Sequence, residues 1–237
     1  MLLLAALPVP IPNCEPLYAP TVREVVEMGE GKYNQLLSVL LFDKNSLPTD
    51  LSKELSHFEV FFINCYCNPE FRQIAELAFR TVFKAKTEMC DVQTSADPYF
   101  YFANGSRIDR TNFDLIQEVV RIGNHVRLLK RDEDQYNPAD EVTAKVIAEM
   151  LARKKARPKP KPDINLHSMI SALSWKSGKP LLDEIMRLSM YQFYDGYRRV
   201  ENLDSIHYTL FGIYTGNIDA KKMNLKDLHI AKIIDHK

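Results

Sequence analysis

Apolar residues return every three or four positions through most of the chain, the spacing that gathers them on one face of an α-helix. The pattern predicts helices over Val22–Met28, Tyr33–Phe42 and Leu51–Cys65. A fourth starts at Pro69 and carries Phe71, Ile74, Leu77, Ala78, Val82 and Phe83 at helical spacing. These four are expected to build the main core. Further helices follow over Asn112–Ile122 and from Pro138, the latter with Val142, Val146, Ile147, Met150 and Leu151 as its stripe. Terminal signals agree with this division. Thr21 and Glu24 form a capping-box pattern, in which each side chain satisfies an open amide of the first turn. Asn68-Pro69 restarts a helix with proline at its first position. Thr111 and Asn137 stand as caps, Gly29 stands where a left-handed cap ends a helix, and the helix over Asn112–Ile122 ends at Gly123.

Two stretches depart from this rhythm. Residues 1–20 contain Pro8, Pro10, Pro12, Pro16 and Pro20, which forbid helix. Within that arm, which we expect to be ordered at least in part, Val9–Ile11 and Leu17–Tyr18 read as short edge strands. Tyr99–Phe102 and Arg107–Asp109 flank Asn104-Gly105, the residue pair that suits a tight hairpin turn. The expected fold class is therefore mainly α: a multi-helix bundle with a small β-hairpin and an extended proline-rich N-terminal arm.

Between Arg153 and Pro162 the composition changes abruptly to Arg-Lys-Lys-Ala-Arg-Pro-Lys-Pro-Lys-Pro. Such a run cannot continue a helix. It divides the chain into a helical domain over 1–152, a linker over 153–162 and a C-terminal helical region over 163–237. Beyond it, Asp163 is placed to cap a helix bearing Leu166, Met169, Ile170 and Leu173, with Trp175 near its end. Gly178 stops that helix and Pro180 starts a longer one. There Leu182, Met186, Phe193, Tyr197 and Val200 share a stripe, while Leu188, Tyr191 and Tyr194 fall outside it. A helix apolar on two sides needs two coverings. A separate helix over Ile206–Tyr214 is one candidate; the first domain or a partner is the other. Leu188, Tyr191 and Tyr194 are accordingly the candidate partner-binding residues, with simple core as the competing reading. A last amphipathic segment spans Leu225–Ile234.

Composition narrows the function. The 237 residues carry 31 Lys and Arg against 31 Asp and Glu, a formal net charge of +0, so attraction to nucleic acid or an anionic membrane has to be local. The local source is Arg153, Lys154, Lys155, Arg157, Lys159 and Lys161. Clustered cations of this kind bind phosphates by releasing counterions. The preferred reading is a solvated linker whose like charges keep it extended. A helix-turn-helix reading of the segment that follows meets Asp183 and Glu184 in the first turn of its recognition helix, where they would repel DNA. Cys14, Cys65, Cys67 and Cys90 are too few and too irregular for a disulfide framework, and Cys65-Tyr-Cys67 lacks the further ligands of a soft-metal site.

Catalytic signatures are missing as well. Gly29-Glu-Gly31-Lys32 fails the P-loop spacing, His57-Phe-Glu59 lacks a second histidine, and no serine stands in a nucleophile elbow. We expect neither an enzyme nor a bound cofactor. The start, MLLLAALPVPIP, has no basic flank and is broken by prolines, so we read neither a secretory signal nor a membrane span and expect a cytoplasmic protein.

Ser171-Ala-Leu-Ser-Trp175, followed by Leu181-Leu-Asp-Glu-Ile-Met-Arg-Leu-Ser-Met-Tyr-Gln-Phe-Tyr-Asp195, resembles a segment of small proteins from tailed phages and prophages of Gram-positive bacteria. Those proteins are encoded in the tail morphogenesis block, and many are called tail assembly chaperones. Tyr18-Ala-Pro-Thr-Val-Arg-Glu-Val25, Ile108-Asp-Arg-Thr-Asn-Phe113, Asn137-Pro-Ala-Asp140 and Tyr214-Thr-Gly-Asn-Ile-Asp-Ala-Lys-Lys222 fit in the same order. The proline arm and the basic linker fall outside the likeness. The resemblance implies a non-enzymatic protein that keeps a tape-measure protein soluble and recruits tail-tube subunits. A structural tail or head-completion component is the neighbouring possibility, and a nucleic-acid binder using the basic run is the alternative of another class.

Overall fold

The computed structural model describes residues 1–43, 55–90, 97–126, 164–176, 178, 181–219, 221, 223–224, 228–229 and 231. Among them are eight helices: α1 (Val22–Met28), α2 (Glu30–Leu40), α3 (His57–Cys67), α4 (Pro69–Phe83), α5 (Phe113–Gly123), α6 (Leu166–Lys176), α7 (Leu182–Arg187) and α8 (Met190–Tyr214). A three-stranded antiparallel sheet completes the fold in the order β1 (Thr87–Met89), β2 (Phe100–Phe102), β3 (Arg107–Ile108). The architecture is mainly α with a small sheet, as the patterning predicts. The helix expected from Pro138, the basic run 153–162 and the segment Leu225–Ile234 lie wholly or largely outside the described residues.

Local chemistry explains most of the boundaries. Thr21 Oγ1 accepts the Glu24 amide at 3.2 Å while Glu24 Oε2 accepts the Thr21 amide at 2.8 Å, closing the expected capping box. Ser56 and Glu59 repeat the device at α3, which places that helix start at His57. Asn68 Oδ1 accepts the Glu70 and Phe71 amides ahead of α4. Gly29 has the positive φ of 92°, but its ψ of 132° is extended, so it joins α1 directly to α2 instead of closing a left-handed cap.

The end of α5 falls at Gly123, where the sequence places it. Gly123 remains inside the helix, and the left-handed residue is His125 with φ 51°. The His125 amide reaches the Ile122 carbonyl and the Val126 amide reaches the Arg121 carbonyl, the paired bonds that close a helix C-terminus. At the other end Thr111 bonds Asp109, and Asn112 is the cap residue.

Two cores form, and their membership corrects the grouping drawn from the sequence. The first gathers α2, α3, α4, α5 and the sheet around a phenylalanine cluster. Phe61 lies at its centre, with ring centroids 4.8–6.0 Å from Phe71, Phe79, Phe100 and Phe113. The proline arm is part of this core: Val9 and Leu17 exchange backbone bonds of 2.8 and 2.9 Å, and Ile11 and Leu17 are buried. The second core joins Val22 and Val25 of α1 and Tyr33 of α2 to Leu166, Ile170, Ile185, Met190 and Phe193. Thus α1 buries Val22 and Val25 among the C-terminal helices, and only its last residue, Met28, also packs on the first core.

The long helix expected from Pro180 is also two elements. It breaks at Leu188-Ser189, where Ser189 caps α8 in a capping box with Gln192. The break lets the backbone do something a continuous helix forbids. The Leu188 carbonyl accepts the Val22 amide at 2.9 Å, and the Met190 amide donates to the Pro20 carbonyl at 2.8 Å. This bridge staples the C-terminal helices to the start of α1. After it, α8 runs unbroken to Tyr214, so the separate helix expected over Ile206–Tyr214 is the last part of α8.

Candidate functional site

An open apolar cleft of about 490 Å³ lies between α1, α6 and α7. Each wall follows from helical spacing. On α1, Val22 and Val25 turn into the second core, which leaves Val26 pointing outward at 45% exposure. On α6, Leu166 and Ile170 are buried at the floor, and Trp175 projects at the rim with 64% of its surface exposed. On α7, Ile185 is buried while Leu182 and Met186 face the cleft. Glu30 Oε1 accepts the Leu166 amide at 3.1 Å, satisfying one open donor of the first turn of α6 and seating that helix against α2.

Asn165 is the residue that caps α6: its side-chain oxygen accepts the Ser168 amide at 2.8 Å. Asp163, the cap expected from the sequence, lies outside the described residues. A second, smaller recess of about 320 Å³ opens between α6, α7 and α8, lined by Leu173, Leu181, Ile185, Leu188 and Val200 among others. The α6–α7 pair therefore carries apolar hollows on both of its sides.

The polar groups in the main cleft are sparse. Glu30 is engaged with the α6 amide, and among the described residues no hydrogen bond links His167 to Ser171. The lining is suited to covering an apolar surface, with the exposed indole of Trp175 as the residue type that most often anchors protein contacts.

The residues singled out from the sequence occupy a different place. Leu188 and Tyr194 are half-buried and pack against the second core. Tyr191 and Tyr194 both lie against the His125 ring, with centroid distances of 5.1 and 5.7 Å. Burial pushes both phenols above their ordinary range. The second covering of this helix is thus supplied by the end of α5 and by α1–α2. Arg153, Lys154, Lys155, Arg157, Lys159 and Lys161 lie outside the described residues. Asp183 and Glu184 are exposed on α7, and Asp183 approaches Arg23 to 3.7 Å.

Two sets of exposed residues escaped the sequence reading. One is the rim of the cleft, Val26, Trp175 and Leu182. The other is the tip of α8, where Tyr208, Phe211 and Tyr214 are 77%, 66% and 84% exposed. Their spacing of three was a visible signal, but Ile206, Leu210 and Ile213 interleave with them and hide which set faces inward. The cysteines hold no such site: Cys65 is buried and Cys67 exposed, on different sides of α3, and burial pushes the Cys14 and Cys65 thiols up to about 12. No group of metal-ligating side chains is found among the described residues. No described helix is long and apolar enough to cross a membrane.

Residues 156–235 match a family model described as the second domain of YomV. YomV is a Bacillus prophage protein. Over that stretch the chain is similar to a phage-related domain. The matched region contains α6, α7 and α8, and so two of the three walls of the cleft and the whole exposed tip of α8. No curated protein and no solved structure matches the chain.

Proposed function

We propose that this protein is a non-enzymatic phage assembly factor, acting in the host cytoplasm, that holds an apolar helical segment of a tail protein in the α1–α6–α7 cleft. The observation that carries the reading is the cleft itself: an open apolar hollow, rimmed by Val26, Trp175 and Leu182, in a region similar to a prophage domain. An amphipathic helix that is poorly soluble alone is covered by such a groove through anchors spaced three and four residues apart. A tape-measure protein, which is long and helical and must stay soluble until the tube encloses it, is the client of this chemistry. The resemblance of Ser171–Asp195, and of the shorter segments that fit in the same order, to tail assembly chaperones supports the same class.

The test is recovery of partners from phage-infected cells with the wild-type chain and with Trp175→Glu. Tape-measure or tube protein retained by the first and lost from the second supports the proposal. Recovery of capsid protein alone, or presence of the chain in purified virions at stoichiometric amount, moves it to a structural component. Binding to DNA that falls steeply with salt and disappears when Arg153–Lys161 is neutralised would replace it with a nucleic-acid-binding role.

A further inference from the structure

We draw no further inference here: the strongest candidate, the exposed aromatic row Tyr208, Phe211 and Tyr214 at the tip of α8, carries nothing, because nothing among the described residues shows what covers it.

Discussion

The Tyr33 hydroxyl donates to the Asn124 side-chain oxygen at 2.5 Å, joining residues 91 positions apart in a buried setting. Asn124 Nδ2 donates in turn to the Val120 carbonyl at 2.9 Å, so the amide is held from both ends. The pair ties α2 to the end of α5 where the two cores meet. Burial pushes the Tyr33 phenol well above its ordinary range, which keeps it a donor at any pH the protein meets.

Tyr33→Phe therefore leaves a buried amide oxygen without its donor while keeping the ring. The expected cost is about 1–3 kcal/mol, the penalty of an unsatisfied buried acceptor. Urea denaturation should show a lowered midpoint with an unchanged slope. An unchanged midpoint would mean that water replaces the phenol.

Leu188 and Tyr194, selected from the sequence for partner binding, are expected to report on stability. Each packs on the second core. Truncation to alanine should cost about 1–3 kcal/mol, less than full burial brings because both are half-buried. Trp175→Ala should move stability by no more than about 0.5 kcal/mol, as exposed positions do. Denaturation midpoints of the three variants separate the roles: comparable losses in all three would remove the distinction between core and rim.

Glu24 gives the fold an acid-sensitive contact. Burial raises its carboxyl, but the Lys84 ammonium and the Thr21 groups outweigh it and hold Glu24 below the ordinary carboxylate range. A depressed native value stabilises the fold above the unfolded-state value, and that gain is lost as pH falls through the native one. Both side chains are more than a third exposed, so water screens the pair and its worth is about 0.5 kcal/mol. Glu24→Gln keeps the capping box and removes the charge. Thermal melts should place the variant slightly below wild type at neutral pH, and the two should converge in acid.

Gly212→Ala tests the closed end of α8. An added Cβ would stand 2.6 Å from Ile218 Cδ1 and 2.9 Å from Cγ1, so Ile218 must leave its place. Alanine adds about 1 kcal/mol of helix propensity, which offsets the lost contact. Global stability should change little. Hydrogen exchange at the Asn217 and Ile218 amides should quicken at least severalfold, since both bond the Gly212 carbonyl.

Legibility in the sequence followed the range of the forces involved. The capping box at Thr21, the Asn68-Pro69 restart and the Asn104-Gly105 turn were readable because all their groups lie within four residues. Ser189 and Gln192 form the same motif, yet the apolar stripe running through them hid it. The cleft was not readable at all. Val26, Trp175 and Leu182 become a rim only when α1 is carried across to α6 and α7.

The sequence by itself determined the helical class, the small sheet turn and most helix starts, since periodicity and capping act between near neighbours. Tertiary structure alone decided that Val22 and Val25 of α1 are buried against the C-terminal helices, more than 140 residues away in the chain. It also decided that the chain breaks at Leu188 to bond Val22, and that Tyr194 turns inward while Trp175 stays out. Those choices depend on burying the most apolar area across distances that no local pattern encodes.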